Sequence, residues 1–506
     1  MATVRANSGT DKTALAGLKM NKAASIAGVK QGNPKLAHVG GFDTLEQELS
    51  YQVSAAEIDG AIPDSVRGTF YRIGPGRNRL GDQVFGHWFD GDGMVHGITF
   101  TDDGIWYRNR YVRTPKYLAE SAAGKIVYRG FGHNAPGGVL KNIGRVPANA
   151  ANTGLIWHGG RLLALWEGGR PWQIDPVTLE TVGEFNYGDK LSFRDPFSAH
   201  GKVDPATGYY YNHGLSVGNK GPQINIYRIN PEGELVARTG IPVKLAAFVH
   251  DFAFAGDYLV YFVHPVGFRN PLPFLSGWKA FNDCVRYNPD WGMEALVVEA
   301  KTLKLVQRIR LDPFVVFHFG NAWQEGNKLL IDLIRFEDFS VNQVLSDVFH
   351  GESDQSGQPW RYSLDLDSAQ VAAEPLPFAC SGEFPQWDLR FSGQPTRWLY
   401  SAAIVDNGTN GFFNAIQRLD LQAGTQTLHD FGPGRFTSEA IFIPTGEAEG
   451  DGYLCCVVYD AAARRSDIVL LDARRDGLPQ VARIPLHNPV PFGFHGGYTE
   501  RAFLPA

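Results

Sequence analysis

The chain has 506 residues, of which 43% are hydrophobic, 12% aromatic and 20% charged, and this composition excludes an intrinsically disordered protein. Its net charge of −6 argues against general nucleic-acid binding, because such binding requires a basic face. We therefore expect a globular protein with a large core and no nucleic-acid partner.

The first 40 residues form a predicted N-terminal extension that differs in charge from the rest of the chain. They contain six basic residues and one acidic residue, so the extension carries +5 and the remainder −11. Its apolar residues between Leu15 and Val29 fall near one face of a helix that Lys22 interrupts. This pattern is typical of a basic helix on a membrane surface, and equally of a disordered, solvated tail. We expect one catalytic domain over residues 41–506.

Strands dominate the prediction from about residue 48 onward, as short apolar runs separated by Gly, Asn, Asp and Pro. A hairpin signature recurs, in which an apolar strand ends in an acidic residue or Asn and a turn follows. Its copies lie at residues 172–176, 226–231, 296–300, 363–367, 417–420 and 469–472. The spacing indicates four-stranded blades of a β-propeller with about six to eight blades. A large sandwich or two β domains is the alternative that the pattern leaves open.

Cysteine use and hydropathy indicate the compartment. The four cysteines have no framework spacing, which favours a reducing, intracellular setting. No apolar run reaches the length of a membrane span, and the N-terminus lacks a signal-peptide core, so we expect a cytoplasmic protein. The apolar, Pro- and Gly-rich stretch 266–278 predicts a loop that guards an apolar entrance, contacts a membrane surface or packs over the propeller. Peripheral membrane contact is therefore a further expectation.

Four histidines share a setting of small and aromatic neighbours: His200, His250, His318 and His495. Neutral imidazole is the commonest protein ligand for borderline divalent ions, including iron. Histidines from separate blades, each near the propeller axis, would meet at one ion. Four such ligands leave two positions open on an octahedral ion, which suits oxygen activation at Fe(II). Burial for purely structural reasons is the alternative for each histidine.

Three acidic residues lie in unusually apolar or turn-like surroundings: Glu167, Glu383 and Glu439. Ligating histidines need their second ring nitrogen held, usually by a carboxylate or a carbonyl. A buried, unpaired carboxylate is costly, so each of the three is expected to have a partner. Backbone amides or an arginine are the alternative partners.

Several blocks of the chain resemble the carotenoid cleavage oxygenases. They lie at residues 62–76, 89–95, 151–153, 161–169, 250–252, 317–322 and 494–496. The resemblance implies a seven-bladed, all-β propeller with Fe2+ on its axis and a cap of loops and short helices. It implies that the four histidines above are the iron ligands. It also pairs Glu167 with His250, Glu383 with His318 and Glu439 with His495.

The same resemblance implies the reaction, which is cleavage of a conjugated carbon–carbon double bond by O2 to give two carbonyl products. Thr153 matches a threonine that crowds an open coordination position at the iron. An apocarotenoid substrate requires a long apolar tunnel. Candidates for its lining are Phe89, Trp166, Phe252, Phe274 and Phe317, for which core packing is the alternative.

The substrate class and catalysis itself each have an alternative. A stilbene is the alternative substrate, but residues 147–150 contain no lysine that could bind its phenolic oxygen, which favours an apocarotenoid. A propeller that binds carotenoids without turnover is the alternative function.

Overall fold

Short strands follow one another along the computed structural model, which describes residues 34–218, 221–244, 248–350, 357–409 and 411–505. Most of the predicted N-terminal extension, residues 1–33, lies outside the described residues. Residues 34–42 form a 3-10 helix, and the ring of Phe42 packs against Trp88 and Phe492 at centroid distances of 5.2 and 5.1 Å. The boundary at residue 41 stays a prediction.

The described residues up to Leu311 form 21 strands. Their N-terminal group is β1 (Ser50–Ser54), β2 (Asp59–Gly60), β3 (Gly68–Arg77), β4 (Arg79–Leu80), β5 (Gln83–Val84), β6 (Asp92–Thr101) and β7 (Gly104–Tyr111). The next groups are β8 (Gly154–His158), β9 (Arg161–Leu165), β10 (Trp172–Ile174) and β11 (Thr181–Glu184), then β12 (Lys202–Val203), β13 (Tyr210–Gly218), β14 (Gly221–Ile229) and β15 (Leu235–Pro242). They are followed by β16 (Ala253–Ala255), β17 (Tyr258–Val263), β18 (Val266–Phe268), β19 (Val285–Tyr287), β20 (Met293–Glu299) and β21 (Leu305–Leu311).

The second half of the chain continues in the same way. It contains β22 (Val315–Glu325), β23 (Lys328–Phe336), β24 (Gln358–Asp365) and β25 (Val371–Pro375), then β26 (Gly382–Gln386), β27 (Trp398–Ala403), β28 (Ala415–Asp420) and β29 (Thr425–Asp430). The last group is β30 (Arg435–Phe436), β31 (Ile441–Pro444), β32 (Gly452–Asp460), β33 (Arg465–Asp472), β34 (Gln480–Pro485) and β35 (Gly496–Thr499).

These strands form seven sheets of four or more strands within the described ranges, and the sheets are the blades of a β-propeller. Their orders are β1-β7-β6-β3-β35, β11-β10-β9-β8, β15-β14-β13-β12, β21-β20-β17-β16, β25-β24-β23-β22, β29-β28-β27-β26 and β2-β34-β33-β32, the last with β30 and β31 both paired to β32. The fold is therefore the predicted seven-bladed propeller.

The recurring hairpin signature marks the turn between the third and fourth strands of six blades. At Asp175, the Oδ1 atom accepts hydrogen bonds from the amides of Val177 and Thr178 at 2.9 and 2.7 Å. Asp365 and Asp420 each accept two downstream amides in the same way. Such side-chain-to-backbone bonds stabilise tight turns, which explains the recurrence in the sequence.

The seventh blade is assembled from both ends of the chain. Its strand β35 pairs with β3, with Arg72 opposite Gly496, and its outer strand β1 precedes the other strands of that blade. In the adjacent blade, β2 from the N-terminal region pairs with β34, with Asp59 opposite Arg483. These pairings close the ring of blades.

The described residues form four short α-helices in the connections: α1 (Pro115–Ala123), α2 (Val139–Asn142), α3 (Leu272–Leu275) and α4 (Val341–Asp347). In α1, the Thr114 side chain accepts a bond at the N-terminus, Pro115 occupies the first turn, and Gly124 ends the helix at φ 63°. The buried Lys116 of α1 pairs with Asp92 of β6 at 2.9 Å, which anchors this helix to its blade.

The apolar stretch 266–278, for which the sequence predicts a loop, contains two short elements. Strand β18 pairs with β19, with Val266 opposite Tyr287, and α3 follows directly. The structure differs from the predicted loop because β18 pairs with a strand outside this stretch. The local Pro and Gly content does not reveal that pairing. Among the described residues, no helix combines the length and the apolar character that a membrane span requires.

Candidate metal centre

Each of the seven blades supplies one residue to the propeller axis. Four blades supply a histidine at or beside their terminal strand: His200 before β12, His250 before β16, His318 within β22 and His495 before β35. The other three blades supply a glutamate: Glu167 after β9, Glu383 in β26 and Glu439 before β31. The fold therefore brings together residues that are far apart in sequence.

The four imidazole rings face one another closely. The Nε2 atoms of His200 and His250 lie 3.0 Å apart, and the candidate ligand nitrogens of His200, His250 and His318 all lie within 4.8 Å of one another. The ring of His495 completes the group, with its centroid 4.5 Å from that of His200 and 4.8 Å from that of His318. The structure thus brings together all four predicted histidines.

Three of the four imidazole rings contact a carboxylate through the Nδ1 atom. The Nδ1 atoms of His250, His318 and His495 lie 2.9, 2.6 and 2.8 Å from carboxylate oxygens. The partners are Glu167, Glu383 and Glu439 respectively, as predicted. Because a carboxylate accepts the Nδ1 proton, each neutral ring keeps the lone pair of its Nε2 atom available for a metal ion.

The three carboxylates differ in their surroundings. The Glu439 side chain is 2% exposed and also accepts bonds from the Gln386 amide and the Gly496 backbone, both at 2.7 Å. Glu383 is 7% exposed and accepts a bond from the Phe384 backbone at 2.5 Å. The Glu167 side chain is 35% exposed. Of the three, Glu439 is therefore the most buried and accepts the most further hydrogen bonds, and Glu167 is the most exposed.

The charges around the rings shift several pKa values. Burial lowers the pKa of His200 well below its ordinary range, and the neighbouring histidines act in the same direction. Burial would also lower the pKa of His318, but the charge and hydrogen bond of Glu383 outweigh it and raise this pKa. The pKa of Glu439 is lowered, because His495, Arg72 and the Gly496 amide outweigh the effect of burial.

A bound metal ion fits this donor set. The buried Nε2 atom of His318 has no hydrogen-bond partner among the described residues. His250 uses its Nδ1 atom for Glu167, so its Nε2 lone pair faces the Nε2 atom of His200 at 3.0 Å. This lone pair can accept a hydrogen bond from a His200 Nε2–H group, or both Nε2 atoms can bind one cation. Imidazole nitrogens backed by carboxylates are typical ligands of divalent transition metals.

Irregular backbone aims two of these residues inward. The register of β22 shifts between Val316 and Phe319, around His318, and that of β26 shifts after Glu383. Phe384 has φ 59°, a conformation that non-glycine residues rarely adopt. Bulges re-aim side chains and strained residues cluster at functional sites, so both irregularities are consistent with a functional role.

An apolar cavity of about 40 Å³ opens beside three of the histidines, with room for a few water-sized molecules. It is lined by Trp88, Phe89, Thr153, His250, Phe317, His318, Phe336, Val341, Leu345, Glu383, Phe384, Phe494 and His495. The predicted tunnel residues Phe89 and Phe317 are among them. Aromatic and aliphatic side chains thus surround the face of the histidines that is open to a substrate.

The other predicted tunnel residues lie outside this lining. Phe252 packs inside a blade, with its ring centroid 4.9 Å from that of Tyr261. Trp166 bridges to Phe197, and Phe274 lies in α3, so their part in a tunnel stays a prediction.

Thr153 borders the cavity at the histidine end. Its hydroxyl donates a 2.8 Å hydrogen bond to the side chain of Asn152, whose amide donates to the backbone carbonyls of Phe89 and Gly91. The carbonyl of Thr153 accepts the backbone amide of His495 at 3.2 Å. Thr153 is therefore held between a cavity-lining loop and a predicted ligand.

Comparison with known proteins identifies the family. Residues 42–500 match the family described as retinal pigment epithelial membrane protein, RPE65. The chain belongs to the RPE65 and carotenoid cleavage oxygenase family. Apocarotenoid-15,15'-oxygenase of Synechocystis sp. is 34% identical over 91% of this chain and 95% of its own. A solved structure of cobalt-substituted Synechocystis ACO has a TM-score of 0.84, with 34% identity over 92% of this chain and 98% of that one.

Other family members are named for different substrates. Carotenoid 9,10(9',10')-cleavage dioxygenase 1 of Pisum sativum is 28% identical over 91% of this chain and 89% of its own. Isoeugenol monooxygenase of Pseudomonas nitroreducens is 30% identical over 88% of this chain and 94% of its own. Family membership alone therefore does not specify which of these substrates a member cleaves.

Sequence reasoning missed several residues around the metal centre. Asp251 directly follows His250 and is buried. Lys202 lies two residues after His200 and forms an ion pair with Asp251. Arg72, which is 1% exposed, donates bonds to Ser438 and to the Gly493 carbonyl. Their closeness in sequence to predicted site residues, or their place in a matching block, was the available signal. Which partner each would meet depends on other blades.

Proposed function

We propose that this protein is a non-haem Fe(II) dioxygenase that cleaves a conjugated double bond of an apocarotenoid. Each alkene carbon gains one atom of O2, which gives two carbonyl products of the retinal type. This proposal rests on a group of four histidines beside an apolar cavity, three of which contact a carboxylate through Nδ1. The names of the oxygenase relatives support the reaction class.

The proposed ligands of Fe2+ are His200, His250, His318 and His495. Bound Fe(II) would supply the reaction with O2, which no side chain of the chain offers. The residues of the chain would hold that ion through their imidazole nitrogens. Glu167, Glu383 and Glu439 orient three of the rings and keep the proton on each Nδ1 atom.

The cavity lining is proposed to orient the polyene and to exclude water. Trp88, Phe89, Phe317 and Phe494 present flat apolar surfaces that suit a conjugated chain. Thr153 already donates its hydroxyl proton to Asn152, so it offers the cavity bulk rather than a free donor. This arrangement supports the predicted role of Thr153, which is to restrict the space beside the metal ion.

A row of aromatic rings runs from the cavity towards α3. Consecutive centroid distances are 5.4 Å from Phe494 to Phe89, 5.8 Å to Phe131, 5.2 Å to Phe281 and 5.4 Å to Phe274. We propose this row as one wall of the substrate route, with Phe274 at its outer end. That placement gives Phe274 a tunnel role without direct contact with the cavity.

An exposed apolar patch surrounds the outer end of that row, and we propose that it contacts a membrane surface. Helices α2 and α3 are joined there by a 3.0 Å bond from the Gly144 amide to the Leu275 carbonyl. Leu140, Leu272 and Trp278 are 88%, 66% and 67% exposed. Aromatic and apolar groups flanked by lysines are typical of surfaces that lie on membranes. The proposed setting is the cytoplasm, with peripheral membrane contact.

The catalytic proposal is tested with iron-loaded protein, 18O2 and three classes of substrate: apocarotenals, intact carotenoids and resveratrol-like stilbenes. We expect mass spectrometry to find two aldehydes from an apocarotenal, each with one labelled oxygen. Products from stilbenes alone would overturn the substrate class and keep the iron site. Tight apocarotenoid binding with no product in air would instead favour the non-catalytic carotenoid-binding alternative.

The membrane proposal is tested by co-sedimentation with vesicles of zwitterionic or mixed anionic lipids. Leu140→Ser combined with Trp278→Ser is expected to reduce the bound fraction severalfold, because both side chains are exposed within the patch. Phe193→Ser is the matched control, since Phe193 is 77% exposed outside the patch. Equal binding of the patch variant and the wild type would contradict the proposal.

A further inference from the structure

A buried ion pair lies beside the histidines, outside the cavity lining. The ammonium of Lys202 lies 3.0 Å from Oδ1 and 3.1 Å from Oδ2 of Asp251. The Asp251 side chain is 1% exposed and that of Lys202 is 15% exposed. Charges this deeply buried are tolerated only when they are paired and fully hydrogen-bonded.

The same carboxylate also accepts two backbone amides. The Phe252 amide donates to Oδ1 at 2.8 Å, and the Phe319 amide donates to Oδ2 at 3.0 Å. With Lys202 in contact with both oxygens, each oxygen of Asp251 has two partners. Charge-assisted bonds of this kind are short and strongly directional, so they fix the groups that make them.

The partners of Asp251 belong to three segments that each carry a predicted ligand. Lys202 lies two residues after His200, Asp251 directly follows His250, and Phe319 directly follows His318. These segments come from three neighbouring blades, with first strands β12, β16 and β22. One carboxylate therefore connects three ligand-bearing segments that are otherwise far apart in sequence.

A fourth blade adjoins the pair. The Lys202 ammonium lies 5.7 Å from the ring centroid of Trp387, which is four residues after Glu383. The segments of His200 and His250 are also joined by a neutral 3.2 Å bond from the Ser198 hydroxyl to the His250 carbonyl. The ion pair adds a charged connection to it, as the Glu383 carboxylate does between His318 and the fourth blade.

We propose that Lys202 and Asp251 are positioning residues, which set the relative places of His200, His250 and His318 and thereby the affinity of the metal centre. The inference rests on the proposed metal site. Neither residue lines the cavity, so the pair acts through the ligand-bearing backbone. Loss of the connection separates the three imidazoles while leaving the apolar cavity walls in place.

The test uses full-length, metal-free protein and Co2+ or Fe2+ alone, without substrate. Lys202→Met, Asp251→Asn and the double variant are compared with wild type by chelator competition and by the visible spectrum of the Co2+ form. We expect each variant to bind the metal about 10–100-fold more weakly, as found for residues that orient metal ligands. The Co2+ spectrum is expected to change, because it reports the arrangement of the ligands.

The double variant separates positioning from a purely structural role. Each single variant leaves one buried charge unpaired, which lowers the free energy of unfolding, whereas removal of both charges relieves this cost. We expect the double variant to recover part of the stability, because one backbone amide still loses its acceptor oxygen, and to keep the weak metal binding and altered spectrum. Recovery of wild-type metal affinity together with stability would overturn the proposal, and this comparison stands even where the single variants fail to fold.

Arg361→Met is the matched control. Arg361 pairs with Asp332 at 2.7 Å, and their side chains are 21% and 0% exposed, close to the burial of Lys202 and Asp251. That pair joins β23 and β24 within one blade, so its loss is expected to lower stability without changing metal affinity. Conversely, Lys202→Arg keeps the positive charge and is expected to restore much of the metal affinity that Lys202→Met loses.

Two failures of the experiment are distinguishable. Wild-type protein that binds neither ion would refute the metal site itself, and with it the proposed function. Wild-type protein that binds tightly, together with Lys202→Met, Asp251→Asn and the double variant that all bind equally tightly, would refute only the positioning role.

Discussion

Buried histidines occur both on the axis and elsewhere in the described part of this propeller, and their partners differ. On the axis, His250, His318 and His495 each bond a carboxylate through Nδ1. Four buried histidines away from the axis, here called the blade histidines, use neutral partners: His96 the Tyr107 hydroxyl, His213 the Val249 carbonyl, His264 the Phe314 carbonyl and His87 the Phe89 amide. Burial alone therefore does not identify a metal ligand, whereas a carboxylate partner and convergence with other rings do.

The pKa values follow this division only in part, because burial still lowers the pKa of His495 although Glu439 opposes it. Burial lowers the pKa of His87 and of His264 to about 4, because their neutral partners do little to offset the loss of water. His318 is equally buried, yet burial is outweighed there by Glu383 and the pKa is raised. The carboxylate makes the ring a stronger base, and a stronger base is a better metal ligand.

The largest expected effect comes from removing one axial ring. His318→Ala is expected to lower metal affinity and turnover by about 100-fold or more, beyond the effect of losing a residue that only orients a ligand. Metal analysis after dialysis and O2-dependent product formation measure both quantities. His264→Asn is the control from a blade, and it is expected to lose about 1–3 kcal/mol of stability while keeping the metal. Equal metal loss in the two variants would contradict the inference that the axial histidines bind metal and the blade histidines do not.

The second prediction ranks the carboxylates. Glu439→Gln is expected to weaken metal binding about 100-fold and Glu167→Gln about 10-fold, the two ends of the usual range for residues that orient ligands. The Glu439 side chain is 2% exposed and accepts further hydrogen bonds. The Glu167 side chain is 35% exposed, so a water molecule can replace its hydrogen bond to His250. Chelator competition measures both affinities, and the reverse order would show that burial of the carboxylate is not what matters.

The third prediction concerns the cavity side of the axis. Thr153→Val keeps the bulk of the side chain and removes its hydroxyl, so kcat is expected to change little. The buried Asn152 oxygen loses its donor, and the free energy of unfolding is expected to fall by about 1–3 kcal/mol. Steady-state kinetics and urea unfolding separate the two effects. A large loss of kcat at unchanged stability would show that the hydroxyl acts in the reaction.

The smallest effect on the site is expected from the blade histidines, through pH. The pKa of His87 and that of His264 are about 4 when folded and 6.5 ordinarily, so below pH 6.5 the unfolded state takes up protons that the folded state does not. Stability is full above pH 6.5 and is lost towards pH 4, by about 1.4 kcal/mol per pH unit for each histidine. Urea unfolding of metal-free protein between pH 7 and 5 tests this, and His264→Asn should make the loss less steep.

Much of this architecture was predictable because it is local. The outer hairpins are encoded by acidic side chains that bond the next amides, as at Asp175 and Asp420, and so the blade repeat is visible in the sequence. The short ribbon at Val266–Phe268 was missed, because its partner strand lies some twenty residues further along the chain.

The sequence by itself determined which residue types could form the metal centre, since imidazoles in small and aromatic settings and carboxylates in apolar ones are recognisable from their neighbours. The tertiary structure decided how they meet. Closure of the ring of blades gives one residue per blade to the axis, pairs each carboxylate with one Nδ1 atom, and brings Asp251 between three ligand segments. Such contacts join positions about 50 or more residues apart, and only the packing of blade against blade specifies them.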